Sequence, residues 1–144
     1  MIDLDQQFAR IYEIIGGKDT PFEQARQRFY EHLCSALSVP CEVTGTEDFN
    51  WEEYYIFGPG DPKEHERLRK SQPSYMDMYD LLIIKDDLVS PWMLFRTEDL
   101  GAHVRRKSDG REFILGLAEL EPTDRKSENY QLLADYSVWF VNFR

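Results

Sequence analysis

A chain of 144 residues, 42% apolar and 31% charged, is long enough for one domain with its own core, and its nine Phe, eight Tyr and three Trp exclude a disordered chain. A formal charge of −10 and an isoelectric point near 4.7 exclude general nucleic-acid binding, which needs a positive surface, and favour divalent cations or a basic protein as partners. Asp3, Asp5 and Arg10 interrupt the opening, so no export signal is read, and no apolar run is long enough to span a bilayer; the expectation is a cytoplasmic protein with Cys34 and Cys41 as free thiols.

Residues 2–15 set Leu4, Phe8, Ile11, Tyr12 and Ile15 on one stripe, the pattern of an amphipathic helix, and Gly16-Gly17 closes it. Thr20-Pro21-Phe22-Glu23 then combines a capping Thr, a first-turn Pro and a Glu three residues after the cap. Phe22, Ala25, Phe29, Leu33, Ala36 and Leu37 follow at helical spacing, up to the break at Pro40. Residues 39–44 and 51–57 read as two strands of a hairpin joined by the polar loop Gly45-Thr46-Glu47-Asp48. After Gly58-Pro59-Gly60, the start signal Asp61-Pro62-Lys63-Glu64 predicts a short charged helix over 61–70, a solvated insertion.

Residues 79–84 form the strongest strand, apolar enough to be central in a sheet and ended by Asp86-Asp87. Residues 93–96 and 102–106 read as further strands. The second is joined through Ser108-Asp109-Gly110 to a run from Glu112, giving a hairpin with a basic tip of Arg105, Arg106, Lys107 and Arg111. A strand from Phe113 runs to Leu120-Glu121, a polar break covers 122–127, and residues 127–143 form a terminal helix with Tyr136, Trp139 and Phe140 as core aromatics. The sum is an α+β fold in a single domain over 1–144: a helical part at 1–37, a β-rich part at 38–121 and the terminal helix. Strands this short, bent at Gly45, Gly101 and Gly116, most economically curl into a small antiparallel barrel plugged by that helix.

Three stretches carry a resemblance to a known family. They are Phe29-Tyr30-Glu31-His32-Leu33 with Leu37-Ser38-Val39-Pro40, then Leu117-Ala118-Glu119-Leu120-Glu121, and the tail Gln131-Leu132-Leu133-Ala134-Asp135-Tyr136-Ser137-Val138-Trp139-Phe140. Over about half its length the chain resembles the small acidic calcium-binding proteins first described in cyanobacteria. The resemblance implies an SH3-like barrel flanked by helices and a calcium binder rather than a catalyst. The first helix and the insertion around residues 58–74 depart from that pattern.

Calcium takes oxygen ligands from carboxylates, carbonyls and water, so the question is where carboxylates converge. No DxDxDG loop occurs, hence no EF-hand. The candidate ligands are Glu47, Asp48 and Glu52 around the first hairpin, Asp86 and Asp87 at the end of the central strand, and Glu119 and Glu121, which share a face if that strand continues. Acids at strand ends also serve simply to solubilise turns. Zinc at His32, Cys34 and Cys41 is disfavoured, because residues two apart on a helix point to opposite sides. No nucleophile elbow, P-loop or dinucleotide fingerprint is present, so no enzyme is expected. Trp51, Tyr54, Tyr55 and Phe57 are core if their strand is central and a contact surface if it is an edge. Two functions remain: a calcium-binding or calcium-responsive protein, and an acidic interaction module, immunity-like or regulatory, for a basic partner.

Overall fold

A computed structural model describes residues 3–143. Helix α1 (Leu4–Ile15) begins where the Asp3 carboxylate accepts the N–H groups of Asp5 and Gln6 at 3.0 and 3.2 Å, and it ends at Gly16 in the left-handed region, φ 88°. Helix α2 (Phe22–Ala36) is capped by Pro21 and not by Thr20, whose predicted capping bond is not made. Its buried face is Ala25, Phe29 and Leu33.

Five strands, β1 (Cys41–Gly45), β2 (Met78–Lys85), β3 (Gly101–Arg106), β4 (Glu112–Gly116) and β5 (Leu120–Pro122), form an antiparallel sheet in the order β4-β3-β2-β1-β5. The apolar β2 is therefore central, as its sequence predicts, and β3 and β4 form the second predicted hairpin. A closed barrel is not formed. The sheet is open, with β4 and β5 at its edges, and a 3-10 turn (Leu117–Glu119) carries the chain from one edge to the other.

Two predicted strands are absent. Residues 93–96 lie in turns, and the aromatic run after Asn50 coils into a 3-10 turn (Asn50–Glu52) followed by α3 (Glu53–Ile56). The first hairpin therefore does not exist, and β1 pairs with β2 and β5 instead. The cause is Glu52, whose carboxylate bends back to the Phe49 N–H at 3.4 Å and across to the Tyr75 N–H at 2.9 Å, bonds an extended strand cannot make. Helix α4 (Pro62–Leu68) starts where Asp61 accepts the Lys63 N–H; it has no buried residue, as its charged sequence predicts, and it docks on this turn through His65.

Helix α5 (Glu128–Phe143) covers the sheet and carries the aromatic core. Tyr136 and Trp139 lie 5.5 and 5.4 Å from Phe29, and Phe22 stacks on Trp139 at 5.3 Å. One buried cluster joins α1, α2, the sheet and α5. Among the described residues no helix is long and apolar enough to cross a membrane.

The basic tip is not a patch. Arg105, Lys107 and Arg111 are exposed, but Arg106 is 2% exposed because side chains alternate along β3. Its guanidinium donates to Asp77 at 3.0 Å, to Asp109 at 2.8 and 3.1 Å, and to the carbonyls of Arg69, Lys70 and Gln72 at 2.9 to 3.0 Å. It ties the end of α4 to the sheet. Replacing Arg106 by Met takes the donor from six oxygens, three of them backbone carbonyls, and should lower stability by about 3 kcal/mol in urea unfolding; a change under about 0.5 kcal/mol, the usual effect at a neutral surface position, would show that the clamp holds nothing.

Candidate metal centre

Two of the acids on this chain converge where the irregular stretch 88–100 meets the turn after β4. Asp99 is buried, 1% exposed, and its carboxylate accepts the Tyr136 hydroxyl at 2.7 Å and the Ala118 N–H at 3.1 and 3.2 Å. The same Tyr136 oxygen accepts the Leu100 N–H at 3.0 Å. Helix α5 thus holds the stretch in place through one phenol. Glu119, in the 3-10 turn, accepts the Leu94 N–H at 3.2 Å.

Gly116 explains how the two carboxylates meet. A side chain there would put its first carbon 2.5 Å from both Asp99 Oδ2 and Glu119 Oε2. Both oxygens reach over one α-carbon, into space that only glycine leaves open. Arg26 donates to the backbone carbonyls of Asp86 and Asp99 at 2.8 and 3.3 Å rather than to the Asp99 carboxylate.

The electrostatics are dominated by burial. Desolvation pushes Asp99 up to about 7; the hydrogen bonds from Tyr136 and Ala118 oppose this, and the charge of Glu119 adds to it. Desolvation also pushes Glu119 up to about 7, against hydrogen bonds from Leu94 and Gly116. Tyr136 is raised by its burial and by Asp99.

The other predicted ligands go elsewhere. Glu47 is exposed and Asp48 half-buried, and their loop is joined to the backbone of Glu119, whose carbonyl accepts the Thr46 N–H at 3.0 Å. Glu52 is fully buried and spent: its oxygens accept the Ser74 hydroxyl at 2.8 Å and the Tyr75 N–H, and bond His65 Nε2 at 2.9 Å. Ser74 and His65 both face that carboxylate, which is not the serine-to-histidine order of a hydrolase. Asp86 and Asp87 are exposed beyond β2. Glu121 lies 3.7 Å from Arg125 and does not share a strand face with Glu119, because the 3-10 turn breaks the alternation between them. Among the described residues no group of three or more acids, histidines or cysteines is placed to hold a metal ion.

Asp99 was not foreseen from the sequence. Its only local signal is an acid set directly against the Leu100-Gly101 entry to β3, and the phenol that fixes it lies 37 residues away.

No protein-family model matches the chain, and no curated protein matches it. Solved structures do. The crystal structure of Anabaena CcbP superposes with a TM-score of 0.58 at 16% identity, over 96% of this chain and 91% of that one. A calcium-binding protein in the calcium-binding form superposes with a TM-score of 0.58 at 17% identity, over 98% and 96%. What this chain shares with both is the fold.

Since both acids bind their protons more tightly folded than unfolded, their contribution to stability is full below about pH 4 and is lost as pH rises through about 7. Asp99→Asn removes one of the two charges and keeps an oxygen for Tyr136. It should therefore raise the melting temperature at pH 8 by about 4 °C or more, the equivalent of about 1 kcal/mol, and change it less at pH 5. An equal loss at both pH values would show that Asp99 is stable as a carboxylate.

Proposed function

We propose that this protein binds calcium, or responds to it, by holding the ion between Asp99 and Glu119. The observation that carries this reading is the meeting of two desolvated carboxylates over Gly116, neither of which takes a salt bridge from an arginine or lysine among the described residues. A hard divalent cation is the natural counter-charge for such a pair. The donor set is all oxygen, which suits calcium and not zinc. Calcium takes about six to eight oxygens; two carboxylates supply up to about four, leaving the remainder to backbone carbonyls and water. Support also comes from the fold shared with two proteins whose structures are described as calcium-binding.

A bound ion would neutralise the pair and link the 88–100 stretch to the 3-10 turn. In this reading the protein is a binder, and no reaction is assigned to it.

Calorimetric titration of metal-stripped protein at pH 7.5 tests the proposal. Calcium should give saturable heat and, at about 100 times its dissociation constant, add about 2.7 kcal/mol to stability. Asp99→Asn with Glu119→Gln should abolish the heat, whereas Asp86→Asn with Glu121→Gln should leave it intact. Absence of heat with wild type, or binding that survives the first pair of substitutions, would overturn the assignment.

A further inference from the structure

The stretch 50–60 folds into a knob whose inner side, Trp51, packs against the buried cluster and whose outer side faces solvent. Its base is Glu52, which gathers Ser74, His65 and two backbone N–H groups, while the Trp51 indole N–H donates to the Pro73 carbonyl at 2.6 Å. From this base a column of rings climbs to the surface: His65 stacks on Tyr55 at 5.5 Å and 6°, and Tyr55 meets the edge of Tyr54 at 5.1 Å. The chain then folds back tightly. The Gly60 N–H donates to the Tyr54 carbonyl at 3.0 Å, and any side chain on Gly60 would strike the Tyr55 ring.

At the top of this column Tyr54 is 56% exposed and Phe57 78% exposed. A chain that needed only to fold would gain by placing polar residues there. The surround is acidic on balance: between residues 47 and 67 the exposed or half-buried charges are Glu47, Asp48, Glu53, Asp61, Glu64 and Glu66, against Lys63 and Arg67, the latter 3.7 Å from Glu64. Glu64 stands close enough to Tyr55 to help hold its hydroxyl above the ordinary value, after desolvation.

We propose that this knob docks a basic protein segment, one that sets a lysine or arginine beside aliphatic side chains. Its cation would lie over the Tyr54 or Phe57 ring inside the acidic rim, and its apolar residues would cover the exposed ring faces. A second copy of this chain is the wrong occupant, since it would bring an identical acidic rim against the first. The proposal rests on Tyr54, Phe57 and the acids around them and does not depend on the calcium reading.

The test is an amide chemical-shift titration of the labelled protein with three synthetic twelve-residue peptides, one alternating Arg and Leu, one Glu and Leu, and one Lys and Gly. The Arg-Leu peptide should shift amides within 47–66, and Tyr54→Ser with Phe57→Ser should weaken it about tenfold or more, as loss of an aromatic anchor does. Exposed positions of this kind leave the fold intact, which an unchanged melting temperature verifies. The Lys-Gly peptide should bind diffusely and weakly. Shifts spread over the whole acidic surface, equal binding of the Glu-Leu peptide, indifference to the two substitutions, or a dimer in sedimentation that Phe57→Ser dissolves would each overturn the proposal.

Discussion

A carboxylate taken out of water must be answered by hydrogen-bond donors and a cation, or it must take up a proton, and this chain buries three: Asp135, Glu52 and Asp99. Asp135, on α5, is met by Arg10 at 2.9 Å and by Gln7 at 2.9 Å, which ties α1 to α5. Glu52 is met by His65, Ser74 and two backbone N–H groups, which creates the knob. Asp99 alone is met by a phenol, an N–H and a second acid. The first two solutions are closed. The third leaves negative charge that a proton answers at low pH and a divalent ion would answer above it.

That difference is why the fold and the candidate site belong to one account. Tyr136 is a core aromatic by its ring, packed on Phe29 and Phe140, and a site residue by its hydroxyl. The terminal helix therefore fixes Asp99 with the same side chain that fills the core. Gly116 performs the matching task from the sheet edge by leaving room for both acids. Part of the remaining charge is spent in pairs: Arg106 with Asp77 and Asp109, Lys107 with Glu42 and Asp80, His103 with Glu112.

Periodicity made much of the architecture legible. The stripes of α1 and α2, the apolar run of β2, the Ser108-Asp109-Gly110 hairpin and the aromatic tail each follow a local rule, and each lies where that rule puts it. Residues 51–57 do not, because an aromatic-rich run looks β-prone until a side chain at Glu52 claims the backbone N–H groups around it, and those partners come from as far as Tyr75. Barrel closure is a related matter: glycine bends were visible, but whether the edge strands pair is a long-range question, and the sheet observed is open. At the site, Glu119 was named from its place at a strand end, and Asp99 was missed because its burial depends on Tyr136 and Ala118, neither of them near it in sequence. The basic tip reads from sequence as a solvated turn or an intramolecular partner for acids; Arg106 and Lys107 take the second role, and that Arg106 is the one that points inward follows from a register not visible in the sequence.

The central claim is that Asp99 and Glu119 face each other uncompensated. Carbon-detected NMR titration of side-chain carboxyl groups in metal-free protein measures this directly. The account predicts midpoints near 7 for both, falling when calcium is added, because an ion on the pair favours the charged form. Midpoints near 4 for both acids, indifferent to calcium, would contradict it.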